Sequence, residues 1–389
     1  MLEKALSGSR RYWAWVAVLL ALIAVGFSTY LKQYHEGLGI TGMSRDVSWG
    51  LYIAQFTFLV GVAASAVMVA IPYYLHNYKK FGKIVILGEF LAVASVVMCV
   101  LFIFVDLGQP VRVLNVLLHP TPHSVMFWDM IVLSGYLLLN IIIGWTSLGA
   151  ERKGFPPPSW VKPLIYIAIP WAVSIHTVTA FLYAGLPGRS HWLTAIMAAR
   201  FLASAFAAGP ALLVILCLLL RRLSTFDAGR ESIQALAKIV AYAMSANVFF
   251  FLLEVFTAFY SHIPEHMAPI RYLFFGLDGH RGLVGFMWSA AILAFVGIGL
   301  LINPSTRKNE RVLPFALAAV FIAAWIDKGL GLIVGGFIPN PMGRITEYAP
   351  TLPEIWITLG VYSIGLLVLT VLYKVAIAVR EEESLAAHG

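Results

Sequence analysis

Long apolar stretches, separated by short polar segments, repeat along most of the chain. A helix needs about 20 mostly apolar residues to cross a bilayer, and ten stretches approach or exceed that length. The predicted spans are residues 12–31, 51–74, 84–104, 125–148, 164–184, 198–220, 237–259, 283–301, 312–337 and 355–375. The pattern therefore predicts an all-α polytopic membrane protein, a single integral membrane domain over residues 1–389 with no soluble domain.

Charged residues are few and unevenly distributed. They make up 12% of the chain, against 60% hydrophobic residues, whereas a soluble protein carries roughly 25% charged residues. With alternating spans, 18 Lys and Arg residues fall on the side of the N-terminus and 8 on the other side. Cytoplasmic loops carry such an excess, so we expect both termini in the cytoplasm. This topology also explains the net charge of +8, which gives no reason to expect nucleic acid as a partner.

Cysteine and histidine placement limits the cofactors that the chain can bind. Cys99 and Cys217 lie far apart in apolar stretches, and no Cys-x-x-Cys occurs, so we expect no iron–sulfur cluster, c-type haem or zinc site. A membrane haem b needs two histidines facing each other, and only His176 lies well inside a span. A haem between His176 and a histidine at the outer edge stays open. The alternative is a hydrogen-bonded His176 that lines a pocket and exchanges protons.

Ionisable residues inside the predicted spans lie almost entirely on one side of the membrane. The outer half or outer edge holds Asp106, Asp129, His176, Arg200, Glu254, Asp327 and Lys328, and the inner half holds Glu89. Charge at such depth is costly and usually functional, although an isolated pair can serve only to fix helix packing. The shared depth favours a polar site between helices in the outer leaflet. Asp327 and Lys328 point about 100° apart, so each needs a different partner.

Aromatic and amide side chains near the same boundary are candidates for contacts to a ligand. Trp49 and Tyr52 lie at the outer boundary, where aromatic residues often anchor membrane proteins and where they could also form a slot for a quinone ring. Gln55 follows in the outer half of the second span and needs a hydrogen-bond partner there. The Gly61-Val-Ala-Ala-Ser65 segment and the Gly331-Leu-Ile-Val-Gly335 segment have the small-residue spacing of helix-packing faces.

Two segments resemble the signature of the NrfD/PsrC family of quinone-interacting membrane subunits in bacterial and archaeal redox complexes. One is Asp106-Leu-Gly-Gln-Pro-Val-Arg112, followed by Pro120, Ser124, Met126 and Trp128. The other is Ser48-Trp49-Gly50-Leu-Tyr52-Ile-Ala-Gln55-Phe, running into Gly61. The resemblance covers essentially the whole chain. Ten spans are typical of the branch that contains HybB of a hydrogenase and DsrP of the sulfite-reduction-associated DsrMKJOP complex, and the local sequence is most similar to DsrP.

The resemblance implies an architecture, a ligand and partners. It implies two four-helix bundles with helices 1 and 10 as additions, in the inner membrane of a prokaryote. It implies a quinone, with menaquinone favoured, bound near the outer face beside a ferredoxin-like iron–sulfur subunit, together with other membrane and multihaem cytochrome subunits. Some relatives contact the quinone through a histidine where this chain has Gln55. An aromatic contact on helix 5 corresponds to Tyr183, with His176 as the alternative.

These observations lead to a hypothesis for a subunit that acts within an oxidoreductase complex. A quinol binds near Gln55, its electrons pass to or from the iron–sulfur partner, and its protons pass to His176, Asp106 or Asp129. Arg112 and Arg200 hold those acids ionised or anchor the partner. The expected proton path consists of Glu254, Asp327, Lys328 and Glu89. The complex would serve dissimilatory sulfur metabolism, with a hydrogenase as the alternative. A proton or solute transporter and a structural anchor without a redox site are the other classes considered.

Overall fold

The computed structural model describes the backbone of residues 1–386 and the side chains of residues 1–382. It contains ten helices long and apolar enough to span a membrane, and no β-strand forms among the described residues. We number them α1 (Arg10–Glu36), α2 (Leu51–Leu75), α3 (Lys79–Asp106), α4 (Val125–Arg152), α5 (Val161–Ala184), α6 (Met197–Leu223), α7 (Arg230–Tyr260), α8 (Val284–Ile302), α9 (Leu313–Gly335) and α10 (Leu352–Glu382). The all-α, ten-span prediction is confirmed.

Several helices extend beyond the apolar stretches that predicted them. The largest differences are at α10, which extends to Glu382 rather than to residue 375, and at α7, which begins at Arg230 rather than at residue 237. The first turns of α7 are polar, and Glu231 there pairs with Lys80 at the start of α3. Hydropathy marks the part of a helix that lies in lipid, so polar turns held by ion pairs go undetected.

Helices α2 to α5 form one four-helix bundle and α6 to α9 form a second. The bundles meet where α2 packs against α6 and α9, and where α5 packs against α6. Helices α1 and α10 pack side by side, and α10 lies against α3 and α4. The two additional helices are therefore α1 and α10, as expected. Every residue from Leu51 to Ala63 in α2 is buried, because α2 lies between the two bundles.

Small residues allow the closest helix contacts. A Cβ atom on Gly209 of α6 would lie 2.8 Å from the backbone nitrogen of Ser65 and 2.9 Å from the carbonyl oxygen of Val62. A Cβ on Gly26 of α1 would lie 2.6 Å from the Cα of Gly360 in α10. Side chains would separate these helices, so the predicted packing role of the small-residue segment in α2 agrees with the structure.

Ion pairs gather on the face where α1 begins and α10 ends, which we call the terminal face. Arg221 pairs with Glu310 at 2.8 Å, and Arg380 of α10 pairs with Glu151 of α4 at 2.7 Å. The opposite face, which we call the loop face, carries the loops 37–50, 107–124, 185–196, 261–283 and 336–351. The candidate residues lie mostly in the half of the membrane next to the loop face.

Candidate functional site

One buried face of α5 carries three polar side chains. His176, Thr179 and Tyr183 are three and seven residues apart, which places them on one side of a helix, and each is 0% exposed. Tyr183 lies near the end of α5 at the loop face, and His176 lies about 10 Å deeper at the ordinary rise of a helix. The polar line therefore runs from the loop face into the first bundle.

Hydrogen bonds connect this face to the two neighbouring helices. The hydroxyl of Thr179 donates to Oδ1 of Asp129 in α4 at 2.6 Å. The hydroxyls of Tyr183 and Thr57 in α2 lie 2.5 Å apart. Asp129 is 4% exposed and Thr57 is 0% exposed, so α2, α4 and α5 together form a buried polar group.

An aromatic cluster covers this polar group on the side of the loop face. The ring of Trp49 stacks on Trp192 with centroids 5.7 Å apart, and it meets Tyr183 edge-on at 5.8 Å. Phe337 packs edge-on against both tryptophans. The indole of Trp192 donates to the carbonyl oxygen of Leu332 in α9 at 2.7 Å. Trp49 is half-buried while Trp192 and Tyr183 are fully buried, so Trp49 is the part of the cluster nearest to the surface.

His176 lacks hydrogen-bond partners that the other side chains of this buried polar group have. Neither ring nitrogen has a hydrogen-bond partner among the described residues. Leaving a buried polar atom unpaired costs about 1–3 kcal/mol. A neutral imidazole offers one donor and one acceptor, which matches a ligand that carries a hydroxyl or a carbonyl oxygen.

Gln55 lies on a different face of α2 and shows a similar imbalance. Its Oε1 accepts hydrogen bonds from the indole of Trp325 at 2.7 Å and from the hydroxyl of Tyr362 at 2.6 Å. Those two donors fix the orientation of the amide. Its Nε2 is buried and has no partner among the described residues, so Gln55 retains an unused hydrogen-bond donor.

Asp106 and Tyr52 belong to the region where α1, α2, α3 and α10 meet. The hydroxyl of Tyr52 donates to Oε1 of Gln33 at 2.8 Å, and Nε2 of Gln33 donates to the carbonyl oxygen of Val105 at 2.7 Å. Oδ1 of Asp106 has no partner within the described part of the chain. Glu354, whose role we did not anticipate, accepts from the hydroxyl of Tyr348 at 2.7 Å, and Tyr348 in turn accepts from the backbone of Leu51.

The arginines are placed differently from our expectation. Arg112 is exposed on the loop after α3, so it does not hold Asp106 or Asp129 by an ion pair. Arg200 of α6 pairs instead with Glu254 of α7 at 2.5 Å and with Asp327 of α9 at 3.0 Å. Position within a span indicates the depth of a charge but not its direction around the helix. Asp106, Arg112 and Asp129 are therefore not joined by ion pairs within the described part of the chain.

The Arg200 triad borders an irregular segment of α9. Residues Trp325–Gly331 form a π-helical turn, a feature that occurs frequently at functional sites. Lys328 in this turn lies over the ring of Phe201, 4.2 Å from its centroid, and faces Gly61 of α2. A cavity of about 10 Å³, enough for about one water molecule, lies between Arg200, Asp327, Lys328 and Asn247.

Glu89 lies apart from the other members of the expected proton path. It is buried in α3 of the first bundle, and its Oε2 would lie 3.1 Å from a Cβ on Gly144 of α4. Glu254, Asp327 and Lys328 belong to the second bundle. The four residues of the expected proton path therefore lie in two different bundles.

The neutral polar residues beside the acids were missed. Thr57 and Thr179 carry no charge, and the depth argument used charge alone. A usable signal was present in α4, where Asp129, Tyr136, Asn140, Ser147 and Glu151 follow one another at spacings of seven, four, seven and four residues.

Histidines at the loop face form a group of their own. His191 lies in electrostatic range of Arg200 and His266, and burial together with these positive neighbours lowers its pKa from 6.5 to about 3. The described side chains, those of residues 1–382, include no group of three or more His, Cys, Asp or Glu arranged to hold a metal ion.

Known proteins resemble this chain over nearly its whole length. The family model described as polysulphide reductase, NrfD, matches residues 39–338. A protein of Halobacterium salinarum, named as a candidate membrane subunit of a dimethyl sulfoxide reductase, is 27% identical over 91% of this chain and 88% of its own. The Hdr-like menaquinol oxidoreductase integral membrane subunit of Archaeoglobus fulgidus is 22% identical over 97% and 96%. The integral membrane subunit of a menaquinone reductase from Nitratidesulfovibrio vulgaris is 20% identical over 94% and 91%.

Proposed function

Since the chain belongs to the polysulphide reductase NrfD family, we propose that it is the quinone-interacting membrane subunit of a multi-subunit redox complex. Two relatives named for menaquinol or menaquinone support menaquinone as the ligand. The observation that carries the proposal is His176, which is fully buried with both ring nitrogens unpartnered among the described residues. A quinol hydroxyl or quinone oxygen supplies the missing partner.

The surroundings of His176 offer both a proton acceptor and aromatic contacts to such a ligand. Thr179 lies one turn of α5 from His176 and bonds to Asp129, which takes up a proton as the quinol is oxidised. Trp49 and Tyr183 offer aromatic faces towards the loop face. A quinone ring needs an apolar slot with few polar contacts. The aromatic side chains supply the slot, and His176 supplies a polar contact. The two electrons leave towards the loop face, where an iron–sulfur subunit docks beside Trp49.

The charge distribution and the family support a proposed topology and membrane. The excess of Lys and Arg on the terminal face favours a cytoplasmic position for that face, in the inner membrane of a prokaryote. The loop face is then the outer face. The local similarity to DsrP favours a complex of dissimilatory sulfur metabolism that includes a multihaem cytochrome, and a hydrogenase complex of the HybB type is the alternative.

The test is quinol oxidation by the purified complex. We expect His176→Leu to lower kcat/KM for menaquinol about 100-fold, the scale of a lost acid–base group. The amount of quinone that co-purifies with the complex should also fall. Thr179→Val should cost about tenfold through the lost hydrogen bond to Asp129. Thr177→Val is the matched control, because Thr177 makes the same bond to its own helix but is only partly buried. Normal turnover of His176→Leu would refute the site, and solute movement by the isolated subunit without quinol would favour a transporter.

A further inference from the structure

One face of α4 carries a polar line that crosses the membrane. Asp129, Tyr136, Asn140, Ser147 and Glu151 fall within an arc of about 60° on a helix of 3.6 residues per turn. The first four of these residues are buried. From Asp129 to Ser147 the rise is about 27 Å, close to the roughly 30 Å thickness of the hydrocarbon core. A buried helix face seldom holds this many polar groups, because each needs a partner there.

Two side chains on this line have unused hydrogen-bonding capacity. Oε2 of Glu89 and the hydroxyl of Ser147 are buried and have no partner among the described residues. Glu89 reaches the α4 line from α3 and lies against Gly144, whose missing side chain leaves it room. No cation pairs with Glu89 in the described part of the structure. A buried carboxyl without a cation has a high cost of ionisation, so Glu89 is suited to hold and pass on a proton rather than to form an ion pair.

The polar line of α4 runs from the polar group around His176 to the terminal face. At the loop-face end, Asp129 belongs to the polar group around His176. At the other end, Glu151 is partly exposed at the terminal face, where Arg380 holds it. Tyr74 lies in electrostatic range of both Glu89 and Glu151. In the second bundle, by contrast, the acids Glu254 and Asp327 pair with Arg200.

We infer that this face of α4, with Glu89 beside it, is a proton-transfer path between Asp129 and the terminal face. It rests on the proposed function, since Asp129 is the group that exchanges a proton with the quinol. For each quinol oxidised, two electrons pass one at a time to a one-electron acceptor in a partner subunit, and two protons enter at Asp129. They leave at Glu151 after passing Glu89, and quinone reduction reverses the route. Steps of about 10 Å along the helix, such as Asp129 to Tyr136, require bridging water for a proton to pass.

The complex in sealed liposomes tests the path, with one pH-sensitive dye inside and another outside. Menaquinol is the reductant, and a soluble acceptor specific to the complex receives the electrons. We expect the wild type to release protons on the terminal face. Glu89→Gln should cut that release at least tenfold and slow quinol oxidation to match, with or without an uncoupler, because both protons of each quinol pass Glu89. The control is Ser95→Ala, which removes a buried hydroxyl of the same helix that bonds only to its own backbone; it should behave as wild type.

The outcomes separate the path from the site. Wild-type release only on the loop face, or unchanged release by Glu89→Gln, would overturn the path while quinol oxidation stands. Normal quinol oxidation by His176→Leu would instead overturn the proposed function, so the two failures are distinguishable. Should Glu89→Gln fail to assemble, redox-induced infrared spectra of the wild type and of Ser147→Ala decide. A carboxylic acid band that changes with quinol and shifts in Ser147→Ala supports the path, and a spectrum that Ser147→Ala leaves unchanged contradicts it.

Discussion

Replacing Arg200 by methionine should destabilise the second bundle strongly. The side chains of Arg200, Glu254 and Asp327 are 8%, 15% and 18% exposed, and the guanidinium bonds to both carboxylates. The uncharged side chain would leave two buried carboxylates close together without a cation. Removing one partner of a buried ion pair costs about 3–5 kcal/mol. We therefore expect Arg200→Met to lower the free energy of unfolding by about that amount.

Two further variants separate the ion pairs from the packing of a long side chain. Arg221→Met removes a similar side chain from the same helix, but its partner Glu310 is about half exposed, and exposed pairs contribute about 0–1 kcal/mol. The triple variant Arg200→Met, Glu254→Gln, Asp327→Asn removes all three charges and should recover most of the loss.

The measurement is the unfolding transition of the purified protein in detergent, followed by helix content and by tryptophan fluorescence. If Arg200→Met costs no more than Arg221→Met, the triad contributes little and our assignment of the charges is wrong. If the triple variant is no more stable than Arg200→Met, the loss comes from packing rather than from unpaired carboxylates.

Single contacts give three further predictions. Gly209→Ala should cost about 1–3 kcal/mol by forcing α2 and α6 apart, whereas Gly299→Ala, which has nothing within 4 Å of its Cβ, should be neutral in the same unfolding assay. Trp192→Phe should lose about 1 kcal/mol with its bond to Leu332, and unchanged stability would mean that this bond is replaced. His191 binds its proton more weakly when folded, with a pKa of about 3 against 6.5, so the unfolded state binds more protons and stability falls as pH drops from 6.5 towards 3. His191→Gln should flatten that profile, and the exposed His119→Gln should not.

The ten spans could be predicted from the sequence because the length of an apolar stretch directly reflects the thickness of the membrane. The depth of each charge in the membrane could also be predicted, from its position within a span. Partners were not, because Arg200 could turn towards Asp129 or towards Glu254 at the same depth, and only the packing of α6 against α7 and α9 decides. Thr179 illustrates the other limit. A threonine inside a helix usually bonds to its own backbone, as this one also does, so its bond to Asp129 has no separate sequence signal.

The structure divides the titratable groups between the two bundles in a way that bears on function. In the second bundle, Arg200 pairs with both acids, although Oε1 of Glu254 has no hydrogen-bond partner among the described residues, and such ion pairs favour a fixed arrangement of helices. In the first bundle, His176 and Glu89 have no ion-pair partner within the described part of the chain, and Asp129 has a threonine. Unsatisfied groups of this kind are costly unless they exchange protons or bind a ligand. Lys328, between Phe201 and Gly61, is a charged side chain of the second bundle that lies against α2 of the first.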